Sequence, residues 1–416
     1  MNLIKQSAKT SFEYIKTFLK WTIIASVVGS IGGVLGSLFH EAVELVTGLR
    51  MENSWLVYLL PVGGLLIAAL YSLSGTKLDT NRVIESIRTE KDIPWYMAPF
   101  IFVGTVITHL LGGSAGREGA ALQVGGCIGY NLGKIIRLNK NDLHVIVMAG
   151  MSAVFTAMFG TPMTAVLFAL EVTSVGVMYY AGFLPCAIAS LAAYGISLAF
   201  GLSPVAFSLA SFPSFTIENA ARVGALSLLC AIVCVIFCFA MKKSEEASKH
   251  FFKNGFLRIF VGGLLIVAFT VLCGNNDYNG AGMHIIENAM EGEANSFAFI
   301  LKIVFTSITV AAGFKGGEIV PTFFIGATFG CVVAPLLGLD PGFGAAIGFI
   351  SLFCGVVNCP IASLMLAFEV FGGVALPAFM IACAISYMMS GYTGLYKSQK
   401  IVYSKLEAKY VDTNVN

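Results

Sequence analysis

Two glutamates stand at the ends of glycine-rich runs that lead into apolar stretches. One run is Gly112-Gly113-Ser114-Ala115-Gly116-Arg117-Glu118-Gly119; the other is Gly313-Phe314-Lys315-Gly316-Gly317-Glu318-Ile319-Val320-Pro321. A glycine turn that opens an apolar helix leaves unpaired N–H groups and a partial positive charge at the helix start, and such a place binds an anion. Glu118 can fill that place with its own carboxylate. Ionised, it plugs the site; protonated, it loses its attraction to the helix end and swings away. Anion and proton then alternate at one location, which is exchange. If the two helix starts face each other, Glu318 sets a second carboxylate near the first, which favours proton carriage. The plainer readings are a cap in which Glu118 pairs with Arg117 and a Glu318–Lys315 pair away from any pathway. Tyr392 and Tyr396 end the last apolar stretch. Their hydroxyls can donate to an anion, or the rings can serve as interfacial anchors.

The elements that must position these residues come in two related sets. Gly116-Arg117-Glu118 and Gly316-Gly317-Glu318 share a GxE pattern with a further Gly eight residues after the Glu, at an offset of 200 residues. Pro162-Met163-Thr164-Ala165-Val166-Leu167-Phe168-Ala169-Leu170-Glu171-Val172 matches Pro360-Ile361-Ala362-Ser363-Leu364-Met365-Leu366-Ala367-Phe368-Glu369-Val370 at an offset of 198. Two ordered matches at nearly one offset indicate an internal duplication, a signature of transporter folds. The repeats can be parallel or inverted on this evidence.

Apolar segments are expected at 18–39, 55–74, 97–112, 119–134, 144–158, 161–181, 182–201, 219–241, 256–273, 297–313, 319–337, 342–357, 360–372 and 374–391. Several are shorter than the roughly 20 residues that a helix needs to cross a bilayer, and many are broken by Gly. Half-depth helices are tolerated only where the freed backbone lines a cavity or is buried in protein. The chain is 57% hydrophobic and 12% charged, with a mean hydropathy of +0.84, which leaves no room for a sizeable soluble domain. The run Trp21 to Phe39 is too long for a signal peptide and reads as a first membrane helix. Positive charge at 1–20 (Lys5, Lys9, Lys16 and Lys20), at Lys242 to Arg258 and at Lys397 to Lys409 places both termini and a polar linker, 242–255, in the cytoplasm. The expected organisation is a cytoplasmic segment 1–20, repeats 21–212 and 213–395, and a cytoplasmic tail 396–416.

Other chemistry is absent from the pattern. A net charge of +2 without basic, aromatic-interleaved runs points away from nucleic acid. Cys230, Cys234 and Cys238 share a helix face without CxxC spacing or a nearby His, and read as packing residues. His109 reads as a satisfied structural histidine. No metal site, cofactor or nucleophile–base pair is evident, so neither an enzyme nor a purely structural protein accounts for the matched glutamates.

At these residues the sequence resembles the CLC anion channel and transporter family, over essentially the whole chain. Gly116-Arg117-Glu118-Gly119 is similar to the family's GREGP helix start, whose Glu is the external gate, with Ala120 in place of the Pro. Gly317-Glu318-Ile319-Val320-Pro321 resembles its GxFxP element, with Glu318 and Ile319 where chloride-type members are apolar. Phe159-Gly160-Thr161-Pro162-Met163-Thr164-Ala165 resembles FNAPLAG, and Leu395-Tyr396 stands where the family places its central tyrosine. Leu78-Asp79-Thr80-Asn81-Arg82-Val83 occupies the place of the missing GSGIP anion motif, and Asp79-Thr80 departs from the usual methionine of the fluoride-specific branch. Residues 313–328 resemble that branch, and Val172 replaces the inner proton-transfer glutamate of chloride exchangers.

The resemblance implies an all-α integral membrane fold of two inverted-topology repeats with many short, tilted or broken helices. It implies a homodimer with one pathway per subunit and no CBS domain. The implied activity is fluoride/proton antiport that exports fluoride from the cytoplasm across the cell membrane, without a cofactor; the alternative is a chloride/proton exchanger or a passive anion channel. Glu118 and Glu318 would gate and carry protons. Gly116, Arg117, Gly119, Ile319, Val320, Tyr396, Thr80 and Asn81 would bind the anion.

Overall fold

A computed structural model describes residues 2–74, 79–89 and 91–415, and the side chains from residue 11 onward within them. Leu78 and the side chains of Lys5 and Lys9 lie outside the described residues. Eight helices fill the first half: α1 (Asn2–Glu52), α2 (Leu60–Ser72), α3 (Thr80–Arg88), α4 (Met97–Leu110), α5 (Glu118–Ile135), α6 (Lys140–Phe159), α7 (Pro162–Glu171) and α8 (Phe183–Ala199). Eight fill the second: α9 (Ile217–Phe251), α10 (Gly255–Cys273), α11 (Met283–Met290), α12 (Ala298–Ala312), α13 (Ile319–Val333), α14 (Pro341–Val357), α15 (Pro360–Phe371) and α16 (Leu376–Met389). Among the described residues, seven helical stretches are long and apolar enough to cross a membrane. Others, such as α7 with 10 residues and α15 with 12, reach only about half of a ~30 Å hydrocarbon core.

Three differences from the expected segments have local causes. The first helix starts at Asn2 rather than near Trp21, because no Gly or Pro interrupts residues 2–20. The polar stretch 242–251 continues α9; its Lys and Glu residues form pairs such as Lys243–Glu246, at 2.8 Å, and Lys249–Glu245, which support an exposed helix. The segment 161–181 breaks after Glu171, and β1 (Ser174–Val175) follows. β1 pairs in parallel with β2 (Lys400–Tyr403), which pairs antiparallel with β3 (Tyr410–Asn414), so part of the tail is tied to the helical body. The patterning missed α3 and α11, because both are short and mixed in polarity.

Small residues set the packing within each half, as expected where lipid supplies no hydrophobic drive between helices. A Cβ on Gly125 of α5 would lie 2.2 Å from the Gly150 oxygen of α6; one on Gly326 of α13 would lie 2.3 Å from the Gly348 oxygen of α14. The corresponding helix pairs therefore use the same close contact.

Reciprocal bonds fix how the halves are related. Glu171, closing α7, accepts from Ile361 N at 3.3 Å and Ala362 N at 2.9 Å, at the start of α15. Glu369, near the end of α15, accepts from Met163 N at 2.9 Å and Thr164 N at 2.8 Å, at the start of α7. Each helix caps the amino end of its counterpart, so α7 and α15 run antiparallel about a local two-fold. The repeats are inverted.

Candidate functional site

The starts of α5 and α13 meet head to head. Gly116 N donates to Gly317 O and Gly317 N to Gly116 O, each at 2.7 Å, in an isolated antiparallel bridge. Only glycine permits the approach. A Cβ on Gly119 would fall 2.8 Å from the Gly317 Cα, one on Gly317 would fall 2.4 Å from the Gly119 nitrogen, and one on Gly116 would fall 2.9 Å from the Val320 Cβ. The expectation for Gly116 changes accordingly. Its N–H is used across the junction, so it holds the helix starts together rather than pointing at an ion.

Both glutamates lie at this junction. Glu118 is 2% exposed; one carboxylate oxygen accepts from Arg117 N at 3.0 Å, and the other stands 3.8 Å from Arg117 Nε. The Arg117 guanidinium also donates through Nη1 to His40 O at 3.5 Å. The plain cap with Arg117 is thus realised, with the carboxylate at the helix start where an anion would sit. Glu318 does not pair with Lys315 as the plainer reading had it. The Lys315 ammonium lies 4.1 Å from the centre of the Tyr71 ring. Glu318 instead turns towards α5, with an oxygen 3.7 Å from where a Gly119 Cβ would be. Ile319 and Val320 are buried in the first turn of α13, where backbone N–H groups have no intrahelical partner.

Beneath the junction lies a cavity of about 530 Å³, and Glu318, Gly316, Tyr396, Thr80 and Asn81 line it. The Tyr396 hydroxyl is buried and has no hydrogen-bond partner among the described residues, a costly state unless something occupies the space beside it. Thr80 accepts from Gln123 Nε2 at 2.8 Å. The Asn81 side-chain oxygen accepts from Ser398 N and Ser398 Oγ, both at 3.0 Å. That bond, with Gln399 Nε2 donating to Val172 O and Val357 O at 2.9 Å each, fixes the chain just after Tyr396. Tyr392 is occupied elsewhere, donating to Ser404 Oγ at 3.0 Å.

The cavity is also lined by Lys242, Lys249, Arg258 and Lys397. Glu245 pairs with both Lys249 and Lys397 there. Gln123, Tyr71 and these basic residues were not singled out as site residues by sequence reasoning. Gln123 carries a signal in hindsight, being a polar residue within the apolar run 119–128; the basic residues come together only through folding. Cys230, Cys234 and Cys238 are buried along α9. His109 bonds through Nδ1 to Thr105 O at 2.9 Å, but its Nε2 has no partner among the described residues, so it is only half satisfied. Among the described residues there is no group of three or more metal-ligating side chains.

The chain is similar to known proteins over most of its length. A family profile described as "Voltage gated chloride channel" matches residues 74–391. A "Chloride/fluoride channel protein" of Pseudomonas syringae pv. tomato is 36% identical over 395 residues, covering 93% of this chain and 87% of its own. The crystal structure of a CLC-type fluoride/proton antiporter superposes with a TM-score of 0.88 at 32% identity, covering 92% of this chain and 98% of that one. A slow cyanobacterial Cl-/H+ antiporter superposes with a TM-score of 0.77 at 18% identity, covering 89% and 94%, which bears on the fold alone.

Proposed function

The chain belongs to the voltage gated chloride channel family, and from that premise we propose that it is a fluoride/proton antiporter which exports fluoride from the cytoplasm. The observation that carries the reading is the pair Glu118 and Glu318 at the meeting of two opposed helix starts, above a cavity with an unpartnered tyrosine hydroxyl. The solved relative is described as a fluoride/proton antiporter.

Each step follows from the chemistry of the groups. The ionised Glu118 carboxylate occupies the helix start and excludes the anion. Protonation removes its charge, weakens its hold on the backbone N–H groups and frees the place. Fluoride, small and strongly hydrated, needs strong donors in exchange for its water. The first-turn N–H groups of Ile319 and Val320 and the Tyr396 hydroxyl can supply them; Gly119 keeps the passage open to the backbone. Glu318, between Glu118 and the cavity, passes the proton inward. Thr80 shapes the inner end, while Arg117 and Asn81 act as supports. The repeats span 21–212 and 213–395, and the basic residues of the cavity with both termini and the tail 396–416 lie in the cytoplasm of a cell-membrane homodimer, one pathway in each subunit.

The test is reconstitution. Purified protein in liposomes loaded with fluoride should release it and take up protons against a proton gradient, with chloride as the control ion. The curated relative's name mentions both anions, so the chloride arm decides between fluoride exchange and its alternative. Fluoride release without proton movement would remove the coupling; chloride exchange at an equal rate would remove the specificity.

A further inference from the structure

A second concentration of charge lies on the other side of the helix junction from the cavity. α4 carries a marker of each side. Ile101 is in the cavity wall; His109 is eight residues on, about 12 Å along the axis at 1.5 Å per residue. Behind His109, Arg50 of α1 and Lys302 of α12 converge on the backbone of residue 280. Lys302 is fully buried and donates to Gly280 O at 2.7 Å and Tyr278 O at 3.2 Å. The Arg50 guanidinium presses on the same residue: a Cβ on Gly280 would lie 2.5 Å from Nη1. Gly280 has a φ of +60°, so glycine both permits this turn and leaves room for the arginine.

Two basic side chains thus meet at one residue inside the protein, without a carboxylate paired to either among the described residues; the only other partner of Lys302 among them is the Phe324 ring, its centre 4.8 Å from the nitrogen. The charged group that bears on Lys302 is Arg50 itself. The nearest acid of the loop, Asp277, stands 4.0 Å from His284. Arg50 is only 6% exposed, and its Nη1 has no hydrogen-bond partner among the described residues. The His109 Nε2, 1% exposed residue-wide, lacks one too, and the fields of Arg50, Arg117 and Lys302 reach its ring. Basic groups buried together are costly to charge without a counter-ion; a small anion beside them stabilises their charged forms and satisfies the free donors. The cluster is also joined to the gate. Asn279 Nδ2 donates to Gly112 O at 2.8 Å, at the head of the loop that ends in Glu118.

We propose that Arg50 and Lys302, with His109 beside them, form a halide-binding site behind the Gly112–Gly116 loop, separate from the cavity and from the Glu118–Glu318 junction. Its role in exchange rests on the transport reading, but its existence does not. It would hold an ion next to the gate on the side away from the cytoplasmic cavity.

Calorimetric titration of the purified full chain with sodium fluoride, and separately with sodium chloride, tests the site. Wild type is expected to bind one more halide per subunit than Lys302→Met or Arg50→Gln, and the halide that is lost identifies the occupant. Equal halide counts and affinities in wild type and a folded variant would overturn the proposal. Should neither variant fold, wild-type crystals soaked in bromide decide. An anomalous peak within hydrogen-bonding distance of Arg50 Nη1 supports the site, and none there overturns it. Liposomes that move no fluoride would remove the transport reading and leave the halide count as it stands.

Discussion

Glu171 and Glu369 occupy the same kind of place as Glu118 and Glu318. All four are carboxylates beside helix amino ends, matched between the repeats at offsets of 198 and 200. Their bonding differs. The first pair spends both carboxylate oxygens on backbone N–H groups of the opposite repeat, in four bonds of 2.8 to 3.3 Å. Glu118 takes one N–H, from its own neighbour Arg117, and Glu318 borders the cavity. A carboxylate held on both oxygens by the other half of the molecule is a strut, because any movement breaks two charge-assisted bonds. A carboxylate held only by its own neighbour, or one facing a cavity, can leave. Position at a helix start therefore does not distinguish clamp from gate; the number and source of the bonds does.

Substitutions can break this contrast. Glu118→Gln keeps the shape and removes the proton site. Proton-coupled fluoride turnover in liposomes is expected to fall by about 10²-fold or more, with the thermal midpoint near that of wild type; preserved coupled flux would place Glu118 among the struts. Glu171→Ala should do the reverse. Loss of an acceptor for two N–H groups is expected to cost about 3 kcal/mol of stability, read from denaturation in detergent, while flux per folded molecule is retained. A fall in specific flux with stability unchanged would give Glu171 a transport role.

Smaller effects sharpen the picture around the cavity. Tyr396→Phe removes a hydroxyl that has no partner to lose, so stability should be unaffected. If that hydroxyl donates to fluoride, the half-saturating fluoride concentration rises about tenfold, the equivalent of one hydrogen bond to a charged group. An unchanged fluoride dependence would take Tyr396 out of the pathway. Asn81→Ala withdraws the acceptor for Ser398 and is expected to cost about 1 kcal/mol in the same denaturation assay. No stability change would mean that Gln399 alone anchors the segment after Tyr396.

Much of the site was legible before any fold. The glycine runs before residues 118 and 318 marked helix starts, and α5 and α13 begin at Glu118 and Ile319. The apolar segments located nearly every helix because a membrane helix satisfies its own backbone and shows as a continuous apolar run. Residues that act through remote partners were not legible. The bond that Asn81 accepts from Ser398 was not foreseeable, because the two residues lie 317 positions apart. Lys315 looked like a partner for Glu318 and lies over Tyr71. Arg50 and Lys302 are ordinary charges in the sequence, and only folding brings both to Gly280.

The amino-acid order by itself determined the elements, the duplication and the chemical type of each helix start, since these depend on neighbours within one or two turns. Only the tertiary structure decided that the repeats are inverted, which glutamates are clamped and that Glu318 borders the cavity. Those outcomes depend on hydrogen bonds between residues some 190 to 210 positions apart, and local periodicity carries no information at that range.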